Sequence, residues 1–194
     1  EKIDLDKDKF VMSCGWKASM LYYHLWRKGR ITEEELNSYC QPGSKFIGLA
    51  EPIHPDIPLA GGSMGLGLPG AVGLALAKKL KGEEGMVYVL MSDGELQCGT
   101  TWESALIAGH HKLDNIAVVV DCNGFQAMGR VEDILPAGFP DGCFKGWSHV
   151  DRKGHDFDNL GHIFDEKEDD NPCVYFCDTI KGKGVSFMEN NYLY

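Results

Sequence analysis

The sequence has no apolar run long enough to cross a bilayer: MVYVLM at 86–91 and IAVVV at 116–120 are its longest, far short of the ~20 residues a spanning helix needs. No apolar signal stretch is seen near Glu1, and since the sequence does not begin with a methionine this excludes targeting only weakly. Basic residues are scarce. Nineteen Lys and Arg against 29 Asp and Glu leave a net charge of −10, which repels a polyphosphate backbone and argues against a nucleic-acid partner. Half of that excess lies in residues 151–170, where eight acidic side chains face three basic ones. This reads as a solvated face and leaves the remainder near enough to neutral for a local anion site. The seven cysteines are odd in number and include no CxxC pair, so neither a disulfide framework nor a structural zinc site is expected. A reduced, cytoplasmic protein is. Internal repeats and low-complexity tracts are also missing. What is present, 194 residues of which 43% are hydrophobic and 25% charged, fits one globular domain and excludes disorder, collagen and coiled coil.

Residues 10–28 and 31–41 read as helices, the second because Thr32 and Glu35 have capping-box spacing, so an α-helical hairpin is expected to open the chain. From Pro42 to Gly70 glycine and proline are dense, which predicts a long ordered loop, and loops of that length are usually functional. AVGLALAKKLK then continues as a helix apolar almost all round, suited to packing deep against a sheet. MVYVLM reads as a strand buried on both faces, ending in Ser92, Asp93 and Gly94, and a helix follows over about 100–112. IAVVVD is a second such strand, ending in Cys122, Asn123 and Gly124, and VYFCDTI at 174–180 is a third. Strand, helix, strand at this spacing predicts a right-handed βαβ unit with parallel strands whose carboxyl ends share one edge.

That edge would bring Asp93 and Asn123 together, since each follows a buried strand and precedes a glycine. Ligands of open α/β sheets sit there, and a carboxylate with an amide oxygen makes a hard donor pair for Mg²⁺ or Ca²⁺, with phosphate as the natural further partner. Asp-Gly and Asn-Gly are also plain turn formers. The loop Gly61, Gly62, Ser63, Met64, Gly65, Leu66, Gly67 enters a helix, where approachable amides can hold a diphosphate. It follows no strand directly and lacks a Gly-Lys-Ser/Thr ending, so both common nucleotide-loop readings fit badly and tight loop packing stays open. His54, within HPD, could carry a proton or simply be a capped loop histidine.

The segment SDGELQCGTTWESALIAGHHKLDNIAVVVDCNGFQAMG resembles the thiamine diphosphate signature of transketolases. GGSMGLGLPGAVGLALA upstream, and VDRKGHDFDNL and TIKGKGVSFMEN downstream, are similar to consecutive landmarks of that family's amino-terminal half. The resemblance implies an α/β fold, a doubly wound, mostly parallel sheet with helices on both faces. It implies a single domain over 1–194, with a helical arm and loop over 1–60 and a cofactor-binding core over 61–194. It implies thiamine diphosphate with Mg²⁺, held by the side chains of Asp93 and Asn123 and the carbonyl of Phe125. Gly62, Gly65, Gly94 and Glu95 would border the diphosphate, and Met64 the aminopyrimidine. His54 would contact substrate or assist proton movement, and Glu103 would belong to an acidic network linking paired sites.

A chain of this length resembles the amino-terminal subunit of a split transketolase, which moves a two-carbon ketol unit from a ketose to an aldose. The resemblance therefore implies a separate carboxy-terminal, pyrimidine-binding partner in an α2β2 assembly, and no activity without it. Three positions depart from the family pattern. Trp16 replaces a substrate-contacting histidine with a side chain that offers one donor and no useful titration. Cys98 stands where a second acidic residue of the network is usual, and a histidine expected soon after the MEN segment is not among these residues. The alternative readings are a 2-oxo acid decarboxylating or acyl-transferring enzyme and a non-catalytic scaffold subunit.

Overall fold

Val87 to Ser92, Ile116 to Cys122 and Cys173 to Asp178 are runs of β-branched, aromatic and small residues with almost no charge, the composition of strands covered on both sides. In the computed structural model, which describes residues 2–136, 143–164 and 170–194, they are the centre of a five-stranded sheet. The strands in chain order are β1 (Lys9–Met12), β2 (Val87–Ser92), β3 (Ile116–Cys122), β4 (Phe125–Gln126), β5 (Gly129–Arg130), β6 (Ser148–Lys153) and β7 (Cys173–Asp178). The sheet order is β1-β2-β3-β7-β6 and every neighbouring pair is parallel. β4 and β5 form a separate two-stranded antiparallel hairpin. No helix among the described residues is long and apolar enough to cross a membrane.

Alternation along the strands divides the core in two. Val87, Val89 and Met91 with Ile116, Val118, Val120 and Val174 face α3 (Gly67–Lys81) and α4 (Gly99–His110), whose Ala71, Ala75, Ala105 and Ala108 let the helices come close. On the opposite face, Met12 meets Leu21, Tyr22 and Leu25 of α1 (Ala18–Arg27). Tyr88, Ala117, Tyr175 and Cys177 there pack with Ile163, which follows α6 (Phe157–Gly161). Helices therefore lie on both faces, the doubly wound arrangement expected. The expected crossover is also present, with β2, α4 and β3 joined so that Val87 pairs with Ile116 and Ser92 with Asp121.

α2 (Glu33–Asn37) begins with the capping box, the Glu35 N–H donating to Thr32 Oγ1 at 3.1 Å and the Thr32 N–H to Glu35 Oε2 at 3.0 Å. α5 (Val131–Ile134) is a single turn after the hairpin. The helix expected over 10–28 is corrected at its start. Phe10, Val11 and Met12 are strand, in register with Tyr88, Val89 and Leu90, because three successive apolar residues can be buried alternately on two faces of a sheet. The chain thus opens with a strand followed by the two helices α1 and α2, and the sheet runs across the boundary at residue 60, because β1 lies before it and its neighbour β2 after it. β6 had no apolar signature: SHVDRK alternates half-buried and exposed positions, the pattern of a polar edge strand. Asp151, Asp156, Asp158 and Asp170 are exposed, as expected of a solvated face, while 165–169 of the same segment lie outside the described residues.

Candidate functional site

β2 and β3 end side by side, so the turns that follow them meet at the carboxyl edge of the sheet. Asp93 is buried there, and its carboxylate closes the two turns on each other. Oδ1 accepts the Gly94 N–H at 2.8 Å and Oδ2 accepts the Gly124 N–H at 2.7 Å. Burial raises its pKa above the ordinary carboxylate value, against the lowering effect of those two donors and with a further push from Asp121. Asn123 is fixed at both ends: Oδ1 accepts the Phe125 N–H at 3.0 Å, and Nδ2 donates to Asp121 Oδ2 at 3.2 Å. Asp93, Asn123 and Phe125 are therefore brought to one edge. The set of a carboxylate, an amide oxygen and a main-chain carbonyl is hard-oxygen chemistry. Gly94 is buried in the same turn, its N–H taken by Asp93.

Residues that the sequence motifs did not single out hold this edge in place. Asp121, the penultimate residue of β3, accepts from Lys17, from the Thr179 hydroxyl and from Asn123. Burial alone would raise its pKa, but the Lys17 ammonium and these donors more than reverse that and hold it below the usual carboxylate range. Lys17 follows β1, so its ion pair crosses over the end of β2 to β3. The visible signal was Asp121 two positions before Asn123, which puts both on the same side of an extended chain.

Glu95 is fully buried and presents no open oxygen to a ligand. Oε2 accepts the Ser92 N–H at 2.9 Å and the Ser92 hydroxyl at 3.3 Å, while Oε1 accepts the Gly65 N–H at 3.3 Å and the Ser13 hydroxyl. One carboxylate thus ties the glycine loop to the ends of β1 and β2. Gly65 has φ +80°, and a Cβ there would lie 2.9 Å from both Cys98 Sγ and Thr100 Oγ1, so this position takes no other residue without strain. Thr100 Oγ1 donates to the Gly65 carbonyl at 2.8 Å and Cys98 Sγ lies 3.6 Å from the Met64 carbonyl. Gly62 packs on Leu49, and Met64 is 43% exposed at the crest of the loop.

His54 keeps to its own loop. Its Nδ1 accepts the Asp56 N–H at 3.2 Å, and Asp56 Oδ2 lies 3.4 Å from Arg30 Nε, with no contact to Asp93 or Asn123. Glu103 lies on the exposed side of α4 beside Leu106 and Ile107, which are also exposed. Trp16 is 47% exposed and is not a core residue.

The profile described as transketolase, thiamine diphosphate binding domain, matches residues 2–192. The chain belongs to the transketolase family. An uncharacterised transketolase-family protein of Sinorhizobium fredii is 40% identical over 191 residues, covering 94% of this chain and 68% of that protein. A subunit of the apulose-4-phosphate transketolase of Actinobacillus succinogenes is 36% identical over 196 residues, covering 96% of this chain and 69% of that one. The crystal structure of transketolase from Campylobacter jejuni superposes with a TM-score of 0.91 at 28% identity, over 99% of this chain and 32% of that one. The chain thus spans about two thirds of the first two relatives and about a third of the last. The edge carrying Asp93 and Asn123 lies within the family's cofactor-binding domain.

Proposed function

We propose that this chain forms the diphosphate-binding part of a thiamine diphosphate- and Mg²⁺-dependent transferase that moves a two-carbon ketol unit from a ketose to an aldose. One observation carries the reading: the 2.7 Å bond from the Gly124 N–H to Asp93, which sets the two strand-end turns of a transketolase-family domain against each other. Asp93, Asn123 and the Phe125 carbonyl would hold the metal. The groups present fit the cofactor: hard oxygen donors stand at the strand ends, and the glycine loop is tied to the same strand ends through Glu95. When bound, thiamine diphosphate supplies the nucleophilic carbon for breaking and making the bond next to a carbonyl.

The chain's own residues bind and orient. Gly62, Gly65 and Gly94 would border the diphosphate, and Met64, which is exposed, would lie by the aminopyrimidine. Glu95 acts from beneath by fastening Gly65. His54 contacts substrate hydroxyls, and Glu103 belongs to the network toward a second site. The whole of 1–194 works as one domain. Trp16, half exposed in place of a family histidine, presents an apolar plane to the acceptor and favours a less polar or bulkier substrate than simple sugar phosphates.

We further propose that the pyrimidine-binding half is a separate chain in an α2β2 assembly, by analogy with relatives that are named as one subunit of a transketolase. The seven cysteines form no disulfide among the described residues, and the protein is placed in the cytoplasm as part of this proposal. The test is reconstitution with the candidate partner chain, followed by assay of ketose phosphate with an aldose acceptor, with and without Mg²⁺. Metal-dependent ketol transfer by the pair, and none by either chain alone, is the expected result. Consumption of a 2-oxo acid with release of CO₂ and no ketol transfer would overturn it.

A further inference from the structure

Gln126 Nε2 is buried and has no hydrogen-bond partner among the described residues. An unmade donor of this kind costs free energy in the free protein, so its placement calls for a group that accepts from it. Its position indicates which. Gln126 lies in β4, three residues beyond Asn123, and its backbone is held in the hairpin opposite Gly129. The side chain lies over Gly94, with Cγ 3.4 Å and Nε2 3.5 Å from the point where a Gly94 Cβ would be. It therefore stands at the meeting of the Asp93 and Asn123 turns. The nearest main-chain donors there, the N–H groups of Gly94 and Gly124, are both taken by Asp93, which leaves the Gln126 amide as a donor still uncommitted at that edge.

We propose that Gln126 is a cofactor-binding residue whose Nε2 donates to an anionic oxygen of the diphosphate. The proposal rests on the reading of this edge as the thiamine diphosphate site. The hairpin holds the Gln126 backbone, so only the side chain needs ordering when an anion arrives, and a hydrogen bond to a charged oxygen is among the stronger ones.

The experiment compares parent, Gln126→Leu and Gln126→Glu in the complex with the partner chain. Calorimetric titration with thiamine diphosphate, and separately with inorganic pyrophosphate, is run in Mg²⁺, alongside thermal unfolding without ligand. Gln126→Leu is expected to weaken both ligands on the order of ten-fold while leaving the ligand-free melting temperature unchanged or higher, because it removes an unpartnered buried donor. Gln126→Glu is expected to weaken them further by setting a carboxylate against phosphate. Gln126→Met, which keeps the side-chain length, gives the same comparison if leucine disturbs the hairpin. Parental affinity in the leucine and methionine variants would overturn the assignment. A loss of affinity matched by a fall in ligand-free stability would do so as well, since that is the mark of a structural role. Failure of the parent complex to bind thiamine diphosphate at all would instead remove the cofactor reading beneath it.

Discussion

Asp93 holds two main-chain N–H groups from different turns, and it is the one carboxylate assigned to the metal, so it joins local folding to cofactor binding. Asp93→Ala is expected to abolish Mg²⁺-dependent thiamine diphosphate binding by the assembled complex, measured by calorimetry. Unchanged affinity would refute the metal assignment. The cysteines make a second prediction at this scale. Burial pushes Cys14 and Cys122 up to about 12 and Cys143 and Cys177 up to about 11, from an ordinary 9.0. A thiol raised in the folded state stays protonated while its unfolded counterpart ionises, so it contributes nothing to pH dependence below pH 9.0 and favours unfolding above it. Denaturant midpoints should therefore fall progressively as pH rises from about 9 to about 11. Cys40, which is exposed, should react with a maleimide at neutral pH well before those four. Asp93 and Asn123 were legible as residues because turn chemistry places Asp-Gly and Asn-Gly after strands. Lys17 and Gln126 were not, because a lysine or glutamine carries no motif until its neighbours are known, and Asp121 showed only as a carboxylate two positions before Asn123.

At the scale of elements, the glycine loop is held by Glu95 rather than by its own sequence. Removing that side chain leaves the Ser13 and Ser92 hydroxyls and the N–H groups of Ser92 and Gly65 without their acceptor. Glu95→Ala should cost about 3 kcal/mol, in the range of a buried network losing its centre, and should open the 61–66 loop to protease before the rest of the domain unfolds. Limited proteolysis with mass spectrometry checks this, and equal protection of the loop in parent and variant would show that packing alone holds it. Glu95 was expected at the diphosphate, and its neighbours in sequence do lie at the same strand end. Only the 3.3 Å bond to Gly65, 30 positions away, shows that it works from the inner side. β1 was similarly hidden: KFVM precedes a helix without a break signal, and its pairing with β2 is a contact across more than 70 residues.

At the scale of the molecule, the exposed face of α4 combines Glu103 with Leu106 and Ile107, about half exposed each. If the proposed partner chain covers part of this domain, these two adjacent apolar side chains are a surface whose burial it would favour. Leu106→Glu should therefore impair assembly with the partner chain while leaving the circular dichroism of the isolated protein unchanged. Sedimentation of the mixed chains measures it, and parental assembly would place the interface elsewhere. The acidic character of 151–170 acts at this scale too, since four of its described carboxylates are exposed.

What this sequence determined by itself was whatever depends on neighbours along the chain. Runs of apolar residues named the central strands, Thr32 and Glu35 named a helix start, and strand-then-Asp-Gly and strand-then-Asn-Gly named two ends of one sheet edge. These signals are local because strand burial, capping and turn formation involve residues within a few positions of each other. The tertiary structure decided the rest: that β1 lies beside β2, that polar SHVDRK is an edge strand, and that Lys17, Thr179 and Asn123 converge on Asp121. It also turned Glu95 inward and left Gln126 Nε2 buried without a partner among the described residues. Each of these depends on which strand ends the packed helices bring together, and a buried polar group acquires its role only from the donors and acceptors that enclose it.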